Sequence, residues 1–186
     1  MKKLVKILRY VSALIFCNLY RILKFFPNND PIMGCALPFA RRDKWWQATI
    51  FPAMAIVSFD LITMKIGIWT IGTAIAYSLV GLLFYFHFKE KSKVGLQSYV
   101  KGSLIGVLIF DFITGPIMSS YFFRMSFEVA FIGQIPFTMM HLASAAALTT
   151  ILAPVFDPQL RPSLQACTSD YLNRIKLAFS KPIWSR

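Results

Sequence analysis

Residues 131–153 form a run of 23 positions without a single Asp, Glu, Lys or Arg. As a helix rising about 1.5 Å per residue, such a run crosses the ~30 Å hydrocarbon core of a bilayer. Residues 66–86 form a second uncharged run, 21 positions long. A soluble domain has little reason to make two such runs, because its helices need a polar face. The composition agrees. Hydrophobic residues make up 56% of the chain and charged residues only 15%, against roughly 25% charged in an ordinary soluble domain. The sequence therefore predicts an all-α integral membrane protein, and its function is to be sought in what it keeps polar inside lipid.

Six spans are expected along residues 1–156. The first covers 4–26 and is the most polar, with basic residues near both ends where long side chains can snorkel to the interface. Pro27, Asn28, Asn29, Asp30 and Pro31 read as a turn. Residues 32–40 are apolar but too few to span alone unless extended by their flanks. Arg41, Arg42, Asp43 and Lys44 form a basic loop, and Trp45-Trp46 follows as an interfacial anchor. The next spans are 47–64, with Pro52 and Asp60, then 68–88, then 98–123, with Asp111 at mid-depth and a break at Gly115-Pro116. The last ends near Pro154. Residues 157–186 read either as an amphipathic helix on the cytoplasmic surface or as a partly ordered tail.

The net charge of +12 raises nucleic acid as a partner. The basic residues are scattered through short loops and span ends, however, so membrane topology accounts for them and no nucleic-acid partner is expected. With six spans, the clusters Lys2-Lys3-Lys6, Arg41-Arg42-Lys44 and Lys89-Lys91-Lys93 all fall on one side. Basic loops mark the inside face, which sets both termini in the cytoplasm of a cell-membrane protein. The N-terminus begins like a signal peptide, but Lys6, Arg9, Arg21 and Lys24 interrupt its apolar part and no cleavage site follows. Cys17, Cys35 and Cys167 have neither disulfide-framework nor zinc spacing.

Asp60 and Asp111 are the sharpest chemical signals. A carboxylate at the centre of a span costs about 2.5–3.5 kcal/mol to insert, so it faces a cavity or a partner. Asp111 reads as a ligand, ion or proton site. Asp60, near the Lys65 turn, is balanced between such a role and helix–helix contact. His141, well inside the last span, can bind a ligand or bond to a neighbouring helix. Met139-Met140-His141 does not make a soft-metal site, because adjacent helical residues point in different directions. Trp69 can stack on a planar ligand or serve as a belt tryptophan. No enzyme, metal or nucleotide signature is present in the sequence, and no cofactor is expected.

In sequence order, Pro27-Asn28 with Pro31, Gly67 with Trp69-Thr70, residues 80–83, and Pro136-Phe137 with His141 resemble the substrate-binding (S) components of energy-coupling-factor (ECF) transporters. The likeness follows an uncharacterised branch and covers roughly residues 4–156. It implies a six-helix membrane bundle that captures a vitamin or other micronutrient in an outward-facing pocket, without chemistry. Carried over, it sets Asn28, Asn29, Trp69, Asp111, Gln134, Thr138 and His141 near the ligand. It also implies a transmembrane coupling subunit with two ATPase subunits, docked on the first helix through a small-residue pair that here corresponds to Ala13 and Cys17. The sequence departs from the family in Cys17 itself, in the basic 41–44 loop, and in Ala143-Ser144 after the histidine. Two other classes compete. One is a non-catalytic membrane assembly protein, and the other a small intramembrane enzyme using Asp111, Asp60 and His141 for acid–base work, for which convergence of the three on one cavity would be the mark.

Overall fold

The computed structural model describes residues 2–24, 28, 30–91, 94–160 and 169. Among them the chain is all-helical: α1 (Lys2–Leu23), α2 (Ile32–Arg42), α3 (Trp45–Ile62), α4 (Ile68–Lys89), α5 (Leu96–Phe123) and α6 (Phe127–Phe156), closed by a short 3-10 turn at Pro158–Leu160. Four of these, α3 to α6, are long and apolar enough to cross a membrane. Of the six expected spans, these four are long and apolar enough, whereas α1 has the length but carries charge and α2 is short. Exposed Leu, Ile and Val side chains run the length of α1 and recur on α3 to α6, as a surface turned to lipid requires.

The short helix is the centre of the molecule. Residues 32–40 carry no charge, so α2 needs no polar face, and every one of these nine is buried. It packs against α3, α4, α5 and α6. Gly34 allows the closest approach, since a Cβ there would stand 3.0 Å from Leu152 Cδ1 and 3.2 Å from the Leu148 carbonyl oxygen. With 11 residues α2 is about 16 Å long, roughly half a bilayer core. It runs alongside the C-terminal half of α6, and the space beyond its N-terminus is not filled by helix.

Charge fastens the other end of α2. Asp157, fully buried at the end of α6, accepts from Arg41 at 2.6 Å, from Arg42 at 3.1 Å and from the Tyr99 hydroxyl at 2.7 Å. Asp43 is bound by Lys6 at 2.7 Å, by the Tyr10 hydroxyl at 2.6 Å, and by Arg9. The basic 41–44 loop thus ties α1, α2, α5 and α6 together, and the ring contact of Phe88 with Tyr99 adds the end of α4. Lys6, Arg9, Arg41, Arg42 and Lys89 gather at this one end of the bundle. Leu160, expected in the tail, is buried with the helices. Of the expected tail, residues 157–160 and 169 are described, and the rest, Cys167 included, lies outside the described residues.

Helix α1 joins the bundle through α3, where the Asn18 amide donates to Ser58 Oγ at 3.0 Å. Between α3 and α4 the fit is tighter. Pro52 has no N–H to offer the Ala48 carbonyl four residues earlier. That oxygen lies against Gly81, 2.2 Å from where a Cβ would stand, so any side chain at Gly81 pushes the helices apart.

Replacing Asp157 by Ala leaves two guanidinium groups at the α2 end without their buried anion. Such losses cost about 3–5 kcal/mol. Asp157→Ala is expected to lower the unfolding temperature of the detergent-purified protein far more than Thr150→Ala, an exposed hydroxyl on the same helix, when both are followed by circular dichroism.

Candidate functional site

The space beyond the N-terminus of α2 is a cavity of about 320 Å³. Its walls come from all six helices and from the segment before α2: Arg21 from α1, Asn28 and Asp30 before α2, Asp60 from α3, Trp69, Thr73 and Tyr77 from α4, Phe110, Asp111 and Thr114 from α5, and Gln134, Phe137 and His141 from α6. Asn28, Trp69 and Phe137 are exposed and form its rim, whereas Asp30, Asp111 and His141 are buried.

Those three buried groups form one unit. Asp30 precedes α2 and uses one carboxylate oxygen to accept the Ile32 backbone N–H at 2.8 Å, which caps the helix. Its other oxygen lies 3.2 Å from His141 Nε2. Asp111 Oδ1 lies 2.8 Å from His141 Nδ1. A neutral imidazole donates from one nitrogen only. Contact with a carboxylate on each side therefore requires one further proton within the trio, on the ring or on a carboxyl. The Asp111 Oδ2 atom is buried and has no hydrogen-bond partner.

Asp111 reaches the cavity because α5 does not break where Gly115-Pro116 predicts. The helix continues through a π turn at Ile113–Ile117, the irregularity that most often marks a functional position inside a helix. Thr114 returns its hydroxyl to the Phe110 carbonyl at 2.9 Å. Gly115 lets Gln134 of α6 approach, since a Cβ there would stand 2.6 Å from the Gln134 side chain.

The remaining polar groups differ in how far they are committed. Asp60 accepts from the Thr70 hydroxyl at 2.6 Å, and that oxygen in turn accepts the Gly67 N–H at 3.1 Å. The Gly67-x-x-Thr70 spacing therefore holds the α3–α4 turn and orients Asp60. Arg21 lies over the Phe59 ring at 4.0 Å, and its Nη1 is buried with no hydrogen-bond partner. Trp69 sits 5.8 Å from Phe123, and the Tyr77 and Phe110 rings are 3.9 Å apart. Asn28 has a positive φ of 55°, which asparagine tolerates. Its amide donates to the Phe137 carbonyl at 2.8 Å, and its own carbonyl accepts from Ser144 at 3.0 Å. Ser144 thus latches this segment onto α6.

Of the residues expected near a ligand, Asn28, Trp69, Asp111, Gln134 and His141 line the cavity. Thr138 is not among the lining residues, and its hydroxyl stands 3.5 Å from the Gln134 amide. Asn29 lies outside the described residues. Asp60 belongs to the cavity. Arg21, Asp30, Thr73 and Tyr77 escaped sequence reasoning. Asp30 looked like turn chemistry between two prolines, and Arg21 looked like a snorkelling end residue. An acid directly before a ten-residue uncharged run, 31–40, was the available signal for Asp30. Ala13 and Cys17, expected at a docking surface, are both fully buried on the inner face of α1, where the Cys17 sulfur meets that of Cys35 at 3.8 Å.

Among the described residues, no group of three His, Cys, Asp or Glu side chains could hold a metal ion. No protein-family model, curated protein or solved structure matches the chain. Among the described residues, fold and composition define it as an all-helical protein with four helices long and apolar enough to cross a membrane and a cavity of polar and aromatic groups among them.

The Asp30–His141–Asp111 trio is expected to behave as one energetic unit. In a double-mutant cycle, His141→Ala and Asp111→Asn should together destabilise the protein by less than the sum of the single changes. The coupling is expected within about 0.5–3 kcal/mol, read from unfolding in detergent.

Proposed function

We propose that the protein is the substrate-capture subunit of an ECF-type importer and binds a vitamin-like small molecule without changing it. The observation that carries this reading is the polar and aromatic cavity held at the end of the bundle opposite the basic residues. Under the positive-inside rule the basic end faces the cytoplasm, as do both termini, and the cavity then faces outward. A cavity with a few convergent polar groups and aromatic walls is the ordinary form of a small-molecule site.

Capture alone does not move the ligand. With no phosphate-binding loop in its sequence, the protein would depend on a transmembrane coupling subunit and two ATPase subunits. Because Ala13 and Cys17 are turned inward, that partner would meet the outer apolar face of α1, where Val11, Ile15 and Leu19 are exposed.

Convergence of Asp60, Asp111 and His141 on one cavity also favours a second reading, an intramembrane enzyme. Acid–base catalysis needs a ring nitrogen within reach of substrate. Both nitrogens of His141 are engaged by carboxylates, and this places capture ahead.

Mass spectrometry of small molecules released from the detergent-purified protein tests the reading. A near-stoichiometric compound recovered unchanged after prolonged incubation supports capture, and its conversion to a product supports the enzyme. Asp111→Asn is expected to fold and to lose most of the bound compound. Full occupancy in that variant would remove Asp111 from the site.

A further inference from the structure

The cavity holds more negative charge than its own groups cancel. The carboxylates of Asp30, Asp60 and Asp111 face one guanidinium, Arg21, and one imidazole, His141. Even with the imidazole protonated, an excess of one negative charge remains. In the low dielectric of a membrane bundle such an excess is unfavourable unless a cation joins it. At the opposite end of α2 the balance is reversed, with one buried aspartate between two arginines. Fold stability alone therefore does not demand a surplus of carboxylates.

Asp111 supplies an independent observation. It is 3% exposed and gives Oδ1 to His141, while Oδ2 is buried, unpartnered and part of a cavity-lining side chain. With the extra proton of the trio on the imidazole, Asp111 is a carboxylate that accepts hydrogen bonds and donates none, so that atom calls for an N–H or O–H. Trp69, Tyr77 and Phe110 line the same cavity and give it aromatic surface, which suits a cation. Arg21 Nη1, also buried and unpartnered, offers a donor to an acceptor on the same molecule.

We propose that the captured ligand is an organic cation built on an aromatic or heteroaromatic ring, with a charged N–H directed to Asp111 Oδ2 and an acceptor directed to Arg21. This inference rests on the capture reading and narrows it. A purely anionic carboxylate or phosphate ligand would meet three carboxylates.

The full-length protein in detergent is titrated calorimetrically with three probes that share an indole ring and differ in charge: tryptamine, 3-ethylindole and indole-3-propionate. Tryptamine is expected to bind roughly tenfold more tightly than either of the others. Asp111→Asn is expected to remove most of that advantage of tryptamine over the neutral probe. Should Asp111→Asn fail to fold, Asp60→Asn, outside the buried trio, carries the same comparison. Equal or tighter binding of indole-3-propionate overturns the cationic ligand while leaving the cavity a binding site. If no probe binds, the charge of the compound released from the purified protein decides. A cation upholds the inference and an anion or neutral molecule overturns it. If no probe binds and no compound is released, the capture reading fails and this inference fails with it.

Discussion

A helix of half the usual length, buried on every side, is the constraint on which this molecule depends. Residues 32–40 have no polar face to show, so α2 is stable only when surrounded, and α3 to α6 surround it. Its ~16 Å cannot fill a bundle built from helices of 18 to 30 residues. The cavity is the space that remains.

The two ends of α2 solve the burial of charge in opposite ways. At one end Asp157 is enclosed by two neighbouring arginines of α2 and by a tyrosine hydroxyl of α5. Such a cluster locks helices together and leaves nothing for a ligand to satisfy. At the other end a histidine stands between two aspartates, with a third carboxylate nearby and one buried oxygen unpartnered. Burying ions is costly in either place. Only the second arrangement keeps unmet hydrogen-bonding capacity next to a cavity.

Much of the architecture was legible because lipid simplifies the pattern. Uncharged runs long enough to cross the bilayer located α4 and α6, and Asp60 with Pro52 did not obscure α3. Asp111 and His141 stood out because ionisable residues inside spans are rare. The limits came from residues whose meaning depends on neighbours distant in sequence. Asp30 lies 111 positions from His141, and nothing local distinguishes it from a turn aspartate. Arg21 read as an interfacial cation, yet α1 turns it toward the Phe59 ring and the cavity. Ala13 and Cys17 read as a surface for another chain, yet the same small size suits them to the α1 interior. Small residues one turn apart specify a close helix approach and not which helix approaches.

The sequence by itself determined that the chain is helical, that it carries uncharged runs long enough to cross a bilayer, and that few ionisable groups lie within them. Hydrocarbon enforces those properties on the backbone and on each side chain separately. Only the tertiary structure decided that the apolar segment at 32–40 becomes a half-length central helix, and that the basic 41–44 loop serves as the clasp for Asp157 and Lys6. It also gathered Asp30, Asp111 and His141 around one imidazole. Pairing buried charges is a property of the packed whole, because the energy of each depends on which groups the other helices bring within hydrogen-bonding distance.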